Sequence, residues 1–309
     1  MKPFKKALVY EFEGDTGLSQ LAHRYAEEVN VITSPDDYQG VLIAEHLKSV
    51  DWFLVGVFDD FKNEFYDLET LQLVCIDWTG VDNIDHQFLT ENGVSFLNTR
   101  GQATEGVAQL MLNMTFNLLR NTPEAMTYAK ADGDSFNVFK GYELGSRTVA
   151  VRGLGDIGGR YAEMCDFFGA KIKYTNRSQK DTPYEAVDFI ELTTDADIFA
   201  NTTGVTEETA NSIKKEHLQA LNQNAIILSP GSFQTFVAND LYEFLVERPD
   251  VKFWWDVEQT KVWVANKERF LALDNVYVTP HTGFFTHENR PRALKLVREN
   301  IENYLSEQR

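Results

Sequence analysis

Gly153, Gly155 and Gly158 stand in GxGxxG spacing within "VAVRGLGDIGGRYAEMCDFFGAKIKYTNRS", a run that reads strand, turn, helix, strand. In a unit of about 30 residues this pattern suits a dinucleotide. Gly153 permits a tight turn, Gly155 lets backbone approach a pyrophosphate, and Gly158 lets the helix pack close to the strand. The amides that open the helix, at Gly155, Asp156 and Ile157, then face the phosphates. Methyltransferases use glycine-rich turns as well, which makes them a competing ligand class. The second strand ends Tyr174-Thr175-Asn176-Arg177-Ser178, with a guanidinium in place of the carboxylate that usually takes the adenosine ribose. Asn176, Arg177 and Ser178 therefore favour NADP, because a 2′-phosphate meets a cation there. A merely solvated Arg177 leaves NAD open too. The second candidate for chemistry is His281, in "VYVTPHTGFF", where an imidazole stands at the point a β-branched strand must stop.

The elements that must position these residues follow an alternating pattern. "KALVYEF", "VNVIT", "DWFLVGVF", "LQLVCIDW" and "GVSFLN" read as strands, with "GLSQLAHRYAEE" and "YQGVLIAEHLKS" as helices between some of them. Residues 104–120 form a helix apolar around much of its circumference, suited either to an interdomain core or to a subunit interface. A second series then runs through "RTVAVRG", a helix from Ile157 to Phe168, "KIKYTN", "ADIFANTT", "NAIILSPG", "VKFWWDV" and "NVYVTP", and a charged helix closes the chain. Alternation of this kind predicts an α/β protein with two Rossmann-like, doubly wound parallel-sheet domains. The boundary is expected near Asn98–Gly101.

Composition narrows the partners. The 309 residues exceed what one hydrophobic core usually serves. A net charge of −18 argues against nucleic acid and anionic membrane surfaces, whose non-specific binding comes from Lys and Arg. A small-molecule substrate is the expected partner. No apolar window is long enough to span a membrane, and the apolar run after the basic start ends at Tyr10, too short for a signal-peptide core. A cytoplasmic location is expected. Cys75 and Cys165 form no CxxC pair, and no HExxH or Cys/His cluster suggests a metal. His23, His46, His86 and His217 fall in helix-like stretches and read as ordinary side chains. No GxSxG elbow supports a serine hydrolase.

Several stretches together resemble the D-isomer-specific 2-hydroxyacid dehydrogenases: "TGVDNID" at 79–85, "NTRGQATEGVAQLMLNMTFNLLR" at 98–120, "GLGDIGG" at 153–159, "DVEQTK" at 256–261 and "NVYVTPHTG" at 275–283. The resemblance implies a substrate domain of residues 1–100 plus 283–309, a dinucleotide-binding domain of residues 101–282 and an active site in the cleft between them; a homodimer is the expected assembly, with the 104–120 helix as its candidate interface. It makes His281 the acid/base that exchanges a proton with the substrate oxygen while hydride passes between nicotinamide and the 2-carbon. It makes Asp256 the carboxylate that takes the nicotinamide amide, and Thr79-Gly80 the loop that takes the substrate carboxylate. Two expected partners of the histidine are replaced. Ser232 stands where the substrate-orienting arginine belongs, or Pro230 or Gly231 in a shifted alignment, and Phe233 is a bulky change beside the nicotinamide site. Lys261 stands where a glutamate belongs and reverses the charge, with Glu258 a possible stand-in one helical turn away. Arg100 replaces a usual proline near the hinge; it and Lys261 are candidates to bring positive charge to a substrate. Gly204 replaces another proline on the phosphate side and leaves room for a larger phosphate group. The reading is an NAD(P)-dependent oxidoreductase acting on a small 2-hydroxy or 2-keto acid, with a dinucleotide-binding protein lacking that activity as the alternative.

Overall fold

The computed structural model describes residues 2–11, 17–33, 47–56, 61–81, 84–231, 233–257 and 261–308. The chain divides into two compact units, Met1–Ala103 with Thr286–Arg309, and Thr104–Phe285.

The first unit is built on five parallel strands in the order β2-β1-β3-β4-β5. They are β1 (Phe4–Glu11), β2 (Ala26–Ile32), β3 (Trp52–Gly56), β4 (Leu73–Ile76) and β5 (Ser95–Leu97). β3 and β4 read as unbroken apolar runs because both faces of a parallel sheet are covered. Helix α1 (Leu18–Tyr25) and the C-terminal helix lay Leu18, Leu21, Val297 and Ile301 on one face, against Phe4, Ala7, Trp52 and Cys75. Helix α2 (His86–Glu91) is capped by the Asp85 carboxylate, which accepts from the Phe88 amide.

The helix expected to reach Glu28 stops at Tyr25 instead. Ala26 is already extended, and the next residues pair in parallel with β1, Val9 opposite Val31. A ladder of this length outweighs the helix propensity of Ala-Glu-Glu, which is worth only about tenths of a kcal/mol per residue. The helix expected at 38–49 lies mostly outside the described residues, as do His46, Ser232 and Glu258.

The second unit carries seven parallel strands in the order β12-β11-β10-β9-β6-β7-β8. Helices α3 (Thr104–Leu119) and α4 (Thr122–Lys130) precede β6 (Thr148–Arg152), and α5 (Asp156–Phe167) leads to β7 (Lys171–Thr175) and β8 (Glu185–Ala186). Helix α6 (Phe189–Thr193) crosses back to β9 (Ile198–Asn201), and α7 (Lys215–Gln219), α8 (Ala238–Glu247) and α9 (Lys261–Leu271) alternate with β10 (Ile226–Ser229), β11 (Lys252–Asp256) and β12 (Val276–Thr279). Helix α10 (Asn289–Glu307) returns to the first unit. The chain thus winds outward from β6 in one direction and from β9 in the other. A switch of this kind opens a crevice beyond the carboxyl ends of the two central strands, where α/β sheets bind ligands.

Phe233, the bulky change after Ser232, packs into the core of the second unit. It is fully buried, stacked on Trp255 with centroids 4.6 Å apart, and edge-on to Trp263 and Phe270. An aromatic side chain of that size gains most where it is wholly removed from water, so the turn after β10 points it into the core. Trp254 and Trp255 are both fully buried, as their strand positions predict. Cys75 and Cys165 are free and buried, and burial pushes both thiols up to about 12.

Candidate active site

Because the seven strands are parallel, their carboxyl ends share one edge. The turns after β6, β7, β9, β11 and β12 bring Gly153–Gly158, Asn176–Ser178, Thr202–Gly204, Asp256–Val257 and His281 to that edge.

The three glycines differ in what a side chain would meet. Gly153 has φ +91, a left-handed conformation, and a Cβ there would sit 2.8 Å from Thr203 Oγ1 and 3.0 Å from its amide. At Gly158 a Cβ would lie 2.3 Å from the Gly153 carbonyl oxygen and 2.4 Å from Thr202 Oγ1, so the first turn of α5 rests directly on the strand ends. At Gly155 it would meet nothing within 4 Å. Gly155 caps α5 with no side-chain bond to the helix amides, and the exposed Asp156 and half-exposed Ile157 follow it. Two glycines close the cradle and the third leaves its mouth open, a geometry that fits the phosphates of a dinucleotide. Thr202 locks the cradle by donating to the Gly153 carbonyl at 2.7 Å.

At the end of β7, Asn176 donates to the Ser178 carbonyl at 2.9 Å and half-buries itself under the turn. Arg177 and Ser178 are exposed. No carboxylate pairs with Arg177 among the described residues.

His281 occupies a left-handed conformation, φ +55, and its amide donates to the Thr279 carbonyl at 3.0 Å. The turn that carries it is tied to Asp256, which is 2% exposed. Its carboxylate accepts from Thr279 Oγ1 at 2.5 Å, from the Thr282 amide at 3.0 Å and from the Gly283 amide at 2.7 Å. Thr279 accepts in turn from Trp254 Nε1 at 3.2 Å. Both Asp256 oxygens therefore serve to hold the histidine turn, a use that the strand-end aspartate does not reveal in sequence. Gly283 is required beside it, since a Cβ there would come within 2.9 Å of Asp256 Oδ2 and 3.2 Å of Val107. The imidazole itself is exposed, touches the Phe284 ring at 5.2 Å and makes no hydrogen bond to a described side chain. Lys261 opens α9 with an exposed side chain, and no bond joins it to His281 among the described residues.

Thr79, Gly80 and Arg100 belong to the first unit, beyond the carboxyl ends of β4 and β5. Asn98 Nδ2 donates to the Thr79 carbonyl at 2.8 Å, Thr79 Oγ1 to the Thr99 carbonyl at 3.3 Å, and the Thr99 amide to the Trp78 carbonyl at 3.1 Å. Gly80 and Arg100 are exposed at the ends of this braced loop. Two residues before Thr79, Asp77 is buried and bonded by Arg290 of α10. Burial raises the Asp77 carboxyl above its usual range, and the guanidinium opposes that rise.

Sequence reading passed over Arg152, Thr202 and Thr279. Arg152 carried a signal, a charge at the last position of an otherwise apolar strand; the two threonines carried none. Among the described residues no three His, Cys, Asp or Glu side chains gather as metal ligands, and no helix is long and apolar enough to cross a membrane.

Comparison with known proteins agrees with the fold. Residues 112–283 match the family model described as D-isomer specific 2-hydroxyacid dehydrogenase, NAD binding domain. The chain is 29% identical over 276 residues to a glyoxylate reductase of Thermococcus litoralis, covering 85% of this chain and 82% of that one. It is 29% identical over 228 residues to a hydroxypyruvate reductase of Thermotoga maritima, covering 73% and 74%. The solved D-lactate dehydrogenase of Aquifex aeolicus, complexed with NAD and lactic acid, superposes with a TM-score of 0.82 at 20% identity, over 97% of this chain and 95% of that one. More than half of the chain lies within the matched family domain, and the glycine cradle lies inside it, so this protein belongs to the D-isomer-specific 2-hydroxyacid dehydrogenase family, as an NAD(P)-dependent oxidoreductase.

Proposed function

We propose that this protein interconverts a small 2-keto acid and its 2-hydroxy acid, with His281 as the proton donor and acceptor. The observation that carries this reading is the anchoring of the histidine turn by a buried carboxylate on the same sheet edge as the open glycine cradle. When bound, the nicotinamide supplies or receives the hydride. The chain's own residues do the rest. Asp156 and Ile157 present backbone amides to the phosphates, and the Gly155 amide, which donates to the Gly153 carbonyl at 2.9 Å, holds the turn beneath them. Asp256, through Thr279, Thr282 and Gly283, holds the turn that aims the imidazole, and His281 passes a proton to or from the substrate oxygen. Thr79 and Gly80 offer backbone to the substrate carboxylate, and Arg100 and Lys261 bring positive charge to an anion within a chain of net charge −18. Glyoxylate and hydroxypyruvate, the substrates named for the two relatives, are the first acids to test.

The test is a panel of 2-keto acids assayed with NADPH and NADH, alongside cofactor binding followed by fluorescence. Turnover of at least one acid is expected; tight cofactor binding with no turnover on any of them would overturn the reading.

NADP is the proposed cofactor. Arg177, in the turn after β7, is an exposed cation with no carboxylate partner among the described residues, and a 2′-phosphate ester would gain a charge-assisted bond from it. Arg177→Ala is expected to weaken NADPH by about 10–100-fold, the worth of one such bond, with NADH little changed. Equal losses for the two would refute the preference.

A homodimer is the proposed assembly. Phe136 is 90% exposed, with Met126 and Val138 also exposed nearby in sequence, and Phe167 is 85% exposed, so large apolar side chains are available for a subunit contact. Sedimentation of the wild type at twice the chain mass, and at the chain mass for Phe136→Glu, is expected; a monomeric wild type would end this proposal.

A further inference from the structure

Arg152 ends β6 immediately before the glycine turn, and it is 8% exposed. No carboxylate pairs with it among the described residues. Nη2 donates to the neutral Ser212 hydroxyl at 2.7 Å, the guanidinium lies over the Phe189 ring at 4.4 Å, and Nη1 is buried with no hydrogen-bond partner. Burial without a compensating anion pulls it down to about 10. A buried guanidinium left this way is costly, so its retention calls for an anion that the free protein does not supply.

Its position says which anion. Val151 lies against Gly158, on the face covered by α5, so the next residue along the strand points to the opposite face, toward α6. The pyrophosphate cradle is on the α5 side; Arg152 is not part of it. In register Arg152 lies opposite Thr175 on one side and Asn201 on the other. Thr175 leads straight into Asn176 and Arg177, and Asn201 into Thr202-Thr203-Gly204. The β9 end carries two buried oxygens without partners, Asn201 Oδ1 and Thr203 Oγ1. The Thr202 amide bonds the Arg152 carbonyl at 2.9 Å, and two residues on, at Gly204, a Cβ would meet nothing within 4 Å. The floor is thus cationic and polar, and the backbone at Gly204, just past the β9 end, is uncrowded.

We infer that Arg152 is the second cation of a site for a phosphate monoester on the adenosine ribose, set in the floor between β7 and β9 while Arg177 closes the site from the strand end. Two guanidiniums match a dianionic ester where one would leave it half neutralised. The inference rests on the NADP reading above and adds a residue to it.

The experiment titrates wild type, Arg152→Met, Arg152→Lys and Arg177→Ala with 2′,5′-ADP and with 5′-AMP, followed by protein fluorescence. Arg152→Met is expected to weaken 2′,5′-ADP by about tenfold or more while 5′-AMP stays within about twofold, and Arg152→Lys to recover part of the loss. Methionine keeps the stem volume and removes an uncompensated buried charge, so urea unfolding of the free variant should occur at no lower concentration than wild type. Equal weakening of both nucleotides, the mark of a tether to Ser212 alone, would overturn the inference, as would no weakening of either. A selective loss in Arg177→Ala without one in Arg152→Met would leave the NADP reading standing and remove Arg152 from it. A wild type that binds the two nucleotides equally would remove both.

Discussion

Replacing His281 by alanine is expected to lower kcat by about 10²–10⁴, the usual worth of a positioned acid/base, with cofactor affinity within about twofold of wild type. The backbone conformation demands a second variant. His281 has φ +55, where a residue with an ordinary Cβ costs about 1–2 kcal/mol and asparagine is better tolerated. Alanine therefore disturbs both the chemistry and the turn, whereas His281→Asn keeps the left-handed turn and removes only the titrating ring. Both variants should lose turnover equally, and His281→Asn should keep the urea midpoint of the wild type. If His281→Asn retained turnover within tenfold, the acid/base assignment would fall, and the histidine would be a turn residue. The anchor explains why such a test can be clean. Asp256 binds the amides of Thr282 and Gly283 and the hydroxyl of Thr279, none of which belongs to the imidazole.

The second large effect separates two glycines three residues apart. Gly158→Ala forces a methyl to within 2.3 Å of a backbone carbonyl oxygen and 2.4 Å of a hydroxyl that is itself bonded to that carbonyl. Neither neighbour is the end of a flexible chain, so α5 must lift off the strand ends. A cost of about 3 kcal/mol, the upper end for overpacking, is expected in urea unfolding, together with loss of cofactor binding. Gly155→Ala has open space around its Cβ and no positive φ, and it should leave the unfolding midpoint near that of the wild type. Its methyl would project from the mouth of the cradle, where a pyrophosphate must approach the backbone, so the expected loss is in cofactor affinity alone. A Gly155→Ala variant binding NADPH as well as wild type would mean that the phosphates do not lie over this turn. A Gly158→Ala variant as stable as wild type would mean that the helix is less closely seated than these distances require.

Much of this is legible in the sequence. Parallel sheets covered on both faces leave apolar runs bounded by turns, and most such runs became strands within a residue or two of the expected ends, from "RTVAVRG" to "NVYVTP". The exceptions have physical causes. Residues 26–28 have helix-favouring composition, which predicts helix, but they are strand because β1 lies alongside to pair with them. Helices α4, α6, α8 and α9 are not expected from the sequence; in α4 no residue is fully buried, so its sequence has no apolar stripe to announce it.

What the sequence by itself determined is local: the glycine turn between a strand and a helix, the guanidinium at the end of β7, and the histidine just past the end of β12. Each depends on residues that are covalent neighbours, and the backbone rules linking them act over a few bonds. Only the tertiary structure decided how these residues are held and what surrounds them. It turned Asp256 inward onto the histidine turn from 25 residues away, sent Phe233 into an aromatic core, and left Arg152 buried without an anion. Burial and partnership are properties of what meets across the fold, and the desolvation that makes a lone guanidinium costly exists only once the chain has closed around it.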